Sequence, residues 1–186
     1  MKVTETGFPG LMIIEPRIFE DPRGYFFESY NHEKFGEAGI EVQFVQDNQS
    51  KSQYGVIRGL HYQNNPHAQT KLIRVLYGKI YDVALDIRSG SPTFGKWYGL
   101  ELSDKNKLQL LIPKGFAHGF SVLSDSAVVL YKCDELYHPE SEAGIIYNDP
   151  SLKINWNIPS GNEIISVKDK NLPELLKANY NFSFSN

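Results

Sequence analysis

The sequence predicts an all-β fold, a sandwich or barrel with a few short peripheral helices, on three observations. The chain has 186 residues, enough for one domain, and its eleven Tyr and eleven Phe favour the pleated surface of a sheet. Residues 81–88 alternate between apolar and polar side chains, which is the period of a strand. Further short strands are spaced between turn sequences, and periodicity alone does not choose between sandwich and barrel.

The N-terminal part predicts two short strands and a helix. The strands, at 11–14 and 25–30, flank the turn sequence Asp-Pro-Arg-Gly at 21–24. Asn31 can cap a short helix that runs through Ala38, and Gly39 ends it.

The remaining elements are mainly strands. The alternating segment has an apolar face that includes Val83 and Leu85, and a polar face that includes Asp82 and Asp86. Turn sequences rich in Ser, Asp, Gly and Pro separate further strands at 97–102, 107–112, 119–123 and 127–133. A second helix is expected at 172–178, within a C-terminal helix and tail that cover 171–186.

Composition excludes several classes of protein. The net charge of −3 leaves no broad basic surface, so neither a nucleic acid nor an anionic membrane is an expected partner. Cys133 is the only cysteine, which excludes an intramolecular disulfide and favours a reducing compartment. Residues 1–10 lack a secretion pattern and no apolar run reaches membrane-spanning length, so we expect a cytoplasmic protein.

Two motifs resemble those of the cupin barrels. Residues 113–118 read P-x-G-x-x-H, ending at His118, which is similar to the second cupin motif. Gly55 stands six residues before His61, and Lys71 seven before Gly78, which is similar to the first. The resemblance implies a double-stranded β-helix, or jelly-roll, barrel.

Three replacements in these motifs argue against a bound metal. Gln63 stands where the motif has its second His, Lys71 where it has Glu, and Val122 where it has Asn. A divalent ion needs deprotonated imidazole and carboxylate ligands, whereas a protonated lysine offers only donors. We therefore expect a barrel without a metal or other cofactor, in which a fixed lysine cation replaces the ion.

Residues 52–63, SQYGVIRGLHYQ, resemble the signature of the dTDP-4-dehydrorhamnose 3,5-epimerases. Blocks similar to that family occur in order at 26–30, 44–48, 71–75, 112–120, 130–133, 148–150 and 168–169. The resemblance implies one epimerase domain over residues 1–186, a homodimer, and no metal or nicotinamide. It also implies inversion of C3 and C5 of dTDP-4-dehydro-6-deoxy-D-glucose, in dTDP-L-rhamnose biosynthesis.

The residues fit that chemistry. Hydrogens on the carbons beside a ketone are acidic because the carbanion delocalises as an enolate, and inversion needs a base and an acid on opposite faces. The resemblance makes His61 the base and Asp169 its partner. It makes Lys71 the cation that stabilises the enolate, and Tyr131 the acid.

The family match also implies binding residues. Cations would meet the sugar or diphosphate oxygens, polar groups the hydroxyls, and one ring would stack on thymine. These residues are Arg23, Glu28, Gln46, Asp47, Asn48, Arg58, His118, Tyr137 (the stacking ring), Glu142 and Lys168.

Some residues depart from the family pattern or lie outside it. Val167 replaces an acidic residue common before the Lys-Asp pair, and the spacing near residues 160–161 suggests an insertion. His32, His67 and His138 are expected only at the surface or in packing.

The family resemblance implies that residues 1–30 are exchanged between the subunits of a dimer. The N-terminal apolar strand with its own turn, which reads as an added edge strand, agrees with this expectation. Three other functions stay open: an epimerase acting at C3 or C5 only, a metal-dependent cupin oxygenase, and a sugar-binding cupin without activity.

Overall fold

A computed structural model describes residues 1–184, which form two facing β-sheets. The first sheet has six strands, in the order β1 (Lys2–Glu5), β2 (Met12–Glu15), β10 (Gln109–Ile112), β7 (Lys71–Tyr77), β12 (Ser126–Cys133) and β5 (Gln46–Gln53). The second runs β13 (Glu142–Gly144), β6 (Val56–Gln63), β11 (Phe116–Val122), β8 (Lys79–Asp86) and β9 (Trp97–Ser103), with β14 (Ile164–Ile165) beside β6. This is a cupin-like jelly roll, and the all-β prediction is confirmed.

A separate hairpin projects from the barrel. It consists of β3 (Ile18–Asp21) and β4 (Gly24–Phe27), which pair only with each other among residues 1–184. The predicted turn at 21–24 therefore joins two strands, and β2 corresponds to the strand predicted at 11–14.

The predicted strands of the barrel are present with shifted ends. The strand expected at 107–112 begins only at Gln109, because Lys107 takes a left-handed conformation with φ of 55°. The strand expected at 119–123 begins earlier, at Phe116, and includes the motif residue His118.

One apolar cluster fills the barrel and a second lies outside it. Ile73, Val129, Ile80 and Phe120 belong to the inner cluster, to which both sheets contribute. The outer cluster contains Val83 and Leu85 of β8, and the C-terminal segment covers it through Leu152, Trp156, Leu175 and Phe182.

Both faces of β8 are covered by other parts of the chain, so its polar face is not the solvent-facing side that an alternating strand usually has. Its polar face points into the barrel, where Asp82 and Asp86 have no exposed surface. Asp86 accepts hydrogen bonds from Arg88, Ser91 and Thr93. Polar groups at this depth must be paired, so this face carries structural and site residues.

The first predicted helix is confirmed and the second is wrong. Helix α1 spans His32–Glu37, and the Asn31 side chain accepts from the Lys34 amide, as an N-cap does. At 172–178 only a 3-10 turn forms, over Leu175–Lys177. Pro173 disfavours a helical conformation at the residue before it, and the Leu175 amide donates to the Asp149 carboxylate instead of a helix carbonyl. Residues 185–186 lie outside the described residues.

The other α-helix, α2, is a single turn over Val167–Lys170 beside the end of β14. Neither helix, nor any other within residues 1–184, has the length and apolar character needed to cross a bilayer.

Candidate active site

A cavity of about 290 Å³ opens between the two sheets. Strands β6 and β11 of the second sheet supply one wall, and β5, β7 and β12 of the first supply the other. Nine predicted site residues line it: Gln46, Asn48, Arg58, His61, Lys71, His118, Tyr131, Tyr137 and Glu142.

His61 and Asp169 form a hydrogen-bonded pair, although they are 108 positions apart in the chain. His61 Nε2 lies 2.8 Å from Asp169 Oδ1, and the His61 side chain is 31% exposed while that of Asp169 is 5% exposed. An Nε2–H donated to the carboxylate leaves the lone pair on Nδ1, the atom available as a base.

Three hydrogen bonds hold Asp169, two at its carboxylate and one at its backbone amide. Its Oδ2 accepts from the Gly59 amide at 3.2 Å, and Ser166 caps α2 by accepting from the Asp169 amide. Burial raises the pKa of the Asp169 carboxyl, but the hydrogen bonds from His61 and Gly59 outweigh burial and leave the pKa below its ordinary value. Asp169 is thus kept as a carboxylate.

Gly59 is required by close packing behind this pair. Its φ is +116°, and a Cβ there would lie 2.5 Å from Gly119 Cα and 2.6 Å from the His118 carbonyl oxygen. Strands β6 and β11 therefore approach closely at the Arg-Gly-Leu-His sequence, which puts His61 opposite His118 in the register.

Lys71 and Tyr131 occupy the opposite wall. Burial lowers the pKa of the Lys71 ammonium, and the negative charges of Glu142 and Asp82 act in the other direction. Burial raises the pKa of the Tyr131 hydroxyl, which therefore keeps its proton. Neither side chain has a hydrogen bond to another group within residues 1–184, so both are free for a ligand.

The second histidine of the cavity is also paired with a carboxylate. His118 Nε2 lies 2.8 Å from Asp82 Oδ1, and both side chains are buried. Asp82 Oδ2 is buried as well and has no hydrogen-bond partner in the described chain. Lys71 offers only donors while it is protonated, and the Gln63 side chain is engaged by the His67 carbonyl and the His138 amide, so these residues do not fit a central metal ion.

A linked group of polar side chains forms the rim. The Tyr137 hydroxyl donates to Glu142 Oε2 at 2.8 Å, and Lys168 Nζ donates to the same oxygen at 2.6 Å. Gln46 accepts from the Tyr137 amide and donates to Asn48. The rim thus presents one exposed ring, Tyr137, beside polar groups that can orient a ligand.

Five predicted site residues do not line the cavity. Asp169 and Lys168 pair with the lining residues His61 and Glu142, whereas three others lie outside the cavity of their own chain. Arg23 is at the tip of the β3–β4 hairpin, paired with Asp21. Glu28 is paired with Lys34. Asp47 is paired with Lys132 on the outer side of β5, because alternate residues of a strand face opposite ways.

Four further residues belong to the site although no motif marks them: Asp82, Gln69, Ser50 and Phe120. The sequence signal for Asp82 is its place on the polar face of β8. Phe120 follows the P-x-G-x-x-H motif by two positions, which puts it on the same strand face as His118. Gln69 and Ser50 lie in polar stretches that carry no local signal.

Comparison with known proteins agrees with this architecture. A sequence model described as dTDP-4-dehydrorhamnose 3,5-epimerase matches residues 5–177. The chain is 52% identical over 181 residues to the Shigella flexneri dTDP-4-dehydrorhamnose 3,5-epimerase, covering 97% of this chain and 99% of that one.

Solved structures give the same result. The enzyme of this name from Elizabethkingia anophelis superposes with a TM-score of 0.90 at 55% identity, over 94% of this chain and 96% of that one. The Legionella pneumophila dTDP-6-deoxy-D-glucose-3,5-epimerase, solved in complex with dTDP-4-keto-L-rhamnose, has a TM-score of 0.90 at 51% identity, over 95% and 93%. A 3'-monoepimerase from Streptomyces bikiniensis has a TM-score of 0.85 at 32% identity, over 91% and 86%.

The agreement covers nearly the whole chain and includes strand β6 and helix α2, which carry His61 and Asp169. On these matches, the chain belongs to the dTDP-4-dehydrorhamnose 3,5-epimerase family.

Proposed function

We propose that this chain inverts C3 and C5 of dTDP-4-dehydro-6-deoxy-D-glucose to give dTDP-4-dehydro-L-rhamnose, as an isomerase of dTDP-L-rhamnose biosynthesis. One observation carries the proposal: the His61–Asp169 pair faces Tyr131 and Lys71 across a single cavity. Inversion beside a ketone needs this combination of base, acid and cation.

His61 removes the proton from the carbon beside the ketone. Its Nε2–H stays bonded to Asp169, so the proton goes to Nδ1 and an imidazolium forms. The carboxylate 2.8 Å away stabilises that positive charge and holds the ring.

Lys71 stabilises the enolate that remains. Its ammonium is partly buried on β7, in the wall opposite His61, where a charge interaction is stronger than in bulk water. Burial lowers the pKa of Lys71, while the negative charges of Glu142 and Asp82 oppose that shift and so favour the protonated form that the enolate oxygen needs.

Tyr131 returns a proton to the other face of the carbon. It projects from β12 in the first sheet, whereas His61 projects from β6 in the second, and both reach the same cavity. Once solvent has taken the proton from His61 and returned one to Tyr131, the same exchange at the second carbon on the other side of the ketone completes the reaction.

The rim residues bind the nucleotide in this proposal. Tyr137 stacks on the thymine ring, while Glu142, Gln46 and Asn48 meet polar groups. Arg58, whose Nε donates to Ser52, and Lys168 neutralise diphosphate oxygens, and His118, whose Nε2 is bonded to Asp82, accepts from a sugar hydroxyl at Nδ1.

Incubation with dTDP-4-dehydro-6-deoxy-D-glucose in deuterated water tests the activity. We expect deuterium at both C3 and C5, located by NMR, together with the L-configured product. Label at one carbon only would make the chain a single-position epimerase. Binding without label would make it a sugar-binding cupin and would contradict the proposal.

We propose further that the reaction needs no metal. The kcat is expected to remain within about twofold after exhaustive chelation, because Lys71 supplies the charge that an ion would otherwise supply. Loss of kcat that one equivalent of a divalent ion restores would favour the metal-dependent alternative, including a cupin oxygenase.

We also propose a homodimer of one-domain chains, residues 1–186, that works in the cytoplasm, where the free Cys133 suits a reducing environment. The β3–β4 hairpin supports the dimer. Phe19 is 51% exposed, Tyr25 57% and Phe26 69%, and a patch of exposed rings is typical of an interface. Because β1 and β2 pair within the first sheet of their own chain, the exchange expected for residues 1–30 narrows to this hairpin.

In such a dimer, Arg23 and Glu28 reach the cavity of the partner. Co-expression of Arg23→Ala and His61→Asn chains tests this arrangement. Random pairing makes half of the dimers mixed, and each mixed dimer has one complete site, so about a quarter of the sites are active. If Arg23 served its own chain, no mixed dimer would gain activity.

A further inference from the structure

His67 and His138, for which the sequence predicts only surface or packing positions, meet outside the cavity. The rings of His67 and His138 stack with centroids 3.5 Å apart and planes inclined by 12°. Glu135 completes the group: one ligand atom from each of the three residues lies within 4.8 Å of the others. All three side chains are partly buried.

We propose that His67, Glu135 and His138 bind a divalent transition metal such as Zn²⁺, and that the ion holds the loop that carries Tyr137. Two imidazoles and a carboxylate form a common three-ligand set for zinc, with a fourth position left for water. Tetrahedral ligands lie about 3.4 Å apart, and each imidazole lone pair lies in the plane of its ring. Binding therefore draws these atoms together by roughly 1 Å and turns the two rings out of their stack, a rotamer change available to partly buried side chains.

A second carboxylate fixes the ring of His138 for this purpose. Glu140 Oε1 lies 3.0 Å from His138 Nδ1, and Glu135 Oε1 lies 4.0 Å from His138 Nε2. An Nδ1–H donated to Glu140 leaves the lone pair on Nε2, on the side of Glu135. Metal-binding histidines commonly have such a carboxylate on their other nitrogen.

The side-chain amides of Gln63 and Gln69 hold the backbone of the three ligand residues before any ion binds. Gln63, which is buried, donates to the His67 carbonyl at 2.7 Å and accepts from the His138 amide at 2.7 Å. Gln69 donates to the Glu135 carbonyl at 2.8 Å. The backbone of the three ligand residues is therefore positioned in advance, which lowers the entropy cost of ordering the site when the ion binds.

The position of the site gives it a consequence for Tyr137. This residue lies between Glu135 and His138, and its ring lines the cavity. An ion bound to both neighbours, and to His67 on another segment, fixes both ends of this short loop. It would order the rim without touching the catalytic pair.

Zinc binding to tag-free protein tests the site. Equilibrium dialysis followed by elemental analysis is expected to give about one Zn²⁺ per chain. Zinc binding should weaken about tenfold or more in each of His67→Asn, His138→Asn and Glu135→Gln. Two controls should bind zinc as the wild type does: His32→Asn, which replaces a histidine elsewhere in the chain, and His61→Asn, which replaces the histidine of the cavity. Circular dichroism checks that each variant is folded. Unchanged affinity in all three variants, or loss in His61→Asn alone, would overturn the site.

Hydrogen exchange tests the effect on the loop. Zn²⁺ should slow exchange of the peptide that covers residues 134–139 in the wild type and leave it unchanged in His67→Asn. Zinc bound at full stoichiometry without slower exchange would overturn the proposed effect on Tyr137. Neither measurement uses a sugar nucleotide, so both results are independent of the proposed epimerase activity.

Discussion

The two walls of the cavity hold their reactive groups by different means. On the wall built from β6 and β11, each histidine is hydrogen-bonded to a carboxylate at 2.8 Å, and Gly59 brings the strands together behind them. On the wall built from β7 and β12, Lys71 and Tyr131 are positioned by burial, with no hydrogen bond to another group in residues 1–184. The first wall is preorganised before substrate arrives, and the second keeps its donors free for it.

The two half-reactions, proton removal and proton return, make different demands, and the two walls differ accordingly. A base must have its lone pair aimed in advance, which requires a fixed tautomer. A donor to an enolate or carbanion must be unoccupied until charge develops, because a competing partner would have to be displaced first. Substitutions on the two walls should therefore produce different kinetic patterns.

The largest effect is expected from His61→Asn, which breaks the first wall. Asparagine can keep a bond to Asp169 but cannot accept a proton near neutral pH. We expect deuterium exchange and product formation to fall together by about 10²–10⁴-fold. NMR of label and product in the same sample measures both rates. A folded variant with near-normal exchange would show that another group is the base.

The next largest effect is expected from Lys71→Met, which removes the cation of the second wall and keeps most of the side-chain volume. Because enolate charge appears only after proton removal, kcat should fall about 10²–10³-fold while KM changes little. Lys51→Met, an exposed lysine on β5, is the matched control and should be silent. A rise in KM with unchanged kcat would make Lys71 a binding residue only.

A smaller effect is expected from Asp169→Asn, which keeps a hydrogen-bond acceptor for His61 but removes the charge. Turnover should fall about 10–100-fold, since the imidazolium loses its counter-charge. The variant also has a pH signature. The pKa of Asp169 lies below its ordinary value, so its carboxylate contributes stability above about pH 4, the unfolded value, and loses it as pH falls through the folded pKa.

Urea unfolding at several pH values measures this contribution. The wild type should exceed Asp169→Asn in free energy of unfolding at pH 7, and the difference should shrink below about pH 4. A difference that does not change with pH would mean that packing, rather than charge, determines the effect.

The strands with apolar alternation and the N-capped helix could be predicted from the sequence. Strand β5 could not be recognised by alternation because all eight of its residues are polar, half of them facing the cavity side. The helix expected at 172–178 followed local propensity, but Asp149 and the apolar cluster over β8 hold that segment in another form. Long-range contacts override propensity in such segments.

The site residues also divide into those that the sequence indicates and those that it does not. The His61–Asp169 pair was expected only through the family resemblance, because 108 positions separate its members. The contact of His67 with His138 had no sequence signal, since neither residue lies in a local ligand motif. Arg23 and Glu28 lie outside the cavity of their own chain, and a single sequence does not say which subunit a side chain serves.

The smallest structural change, and the sharpest comparison of the walls, is Tyr131→Phe. The hydroxyl has no hydrogen bond to lose within the described chain, and the ring stays, so the free energy of unfolding should change by less than about 1 kcal/mol. Proton removal needs only His61 and Lys71, so exchange of substrate hydrogen with deuterated solvent should stay within about threefold of wild type. Product formation should fall at least about tenfold, because no donor remains on the far face. If both rates fall equally, the hydroxyl binds the ketone instead. If neither the exchange rate nor product formation changes, Tyr131 is a packing residue, and another group must supply the proton on that face.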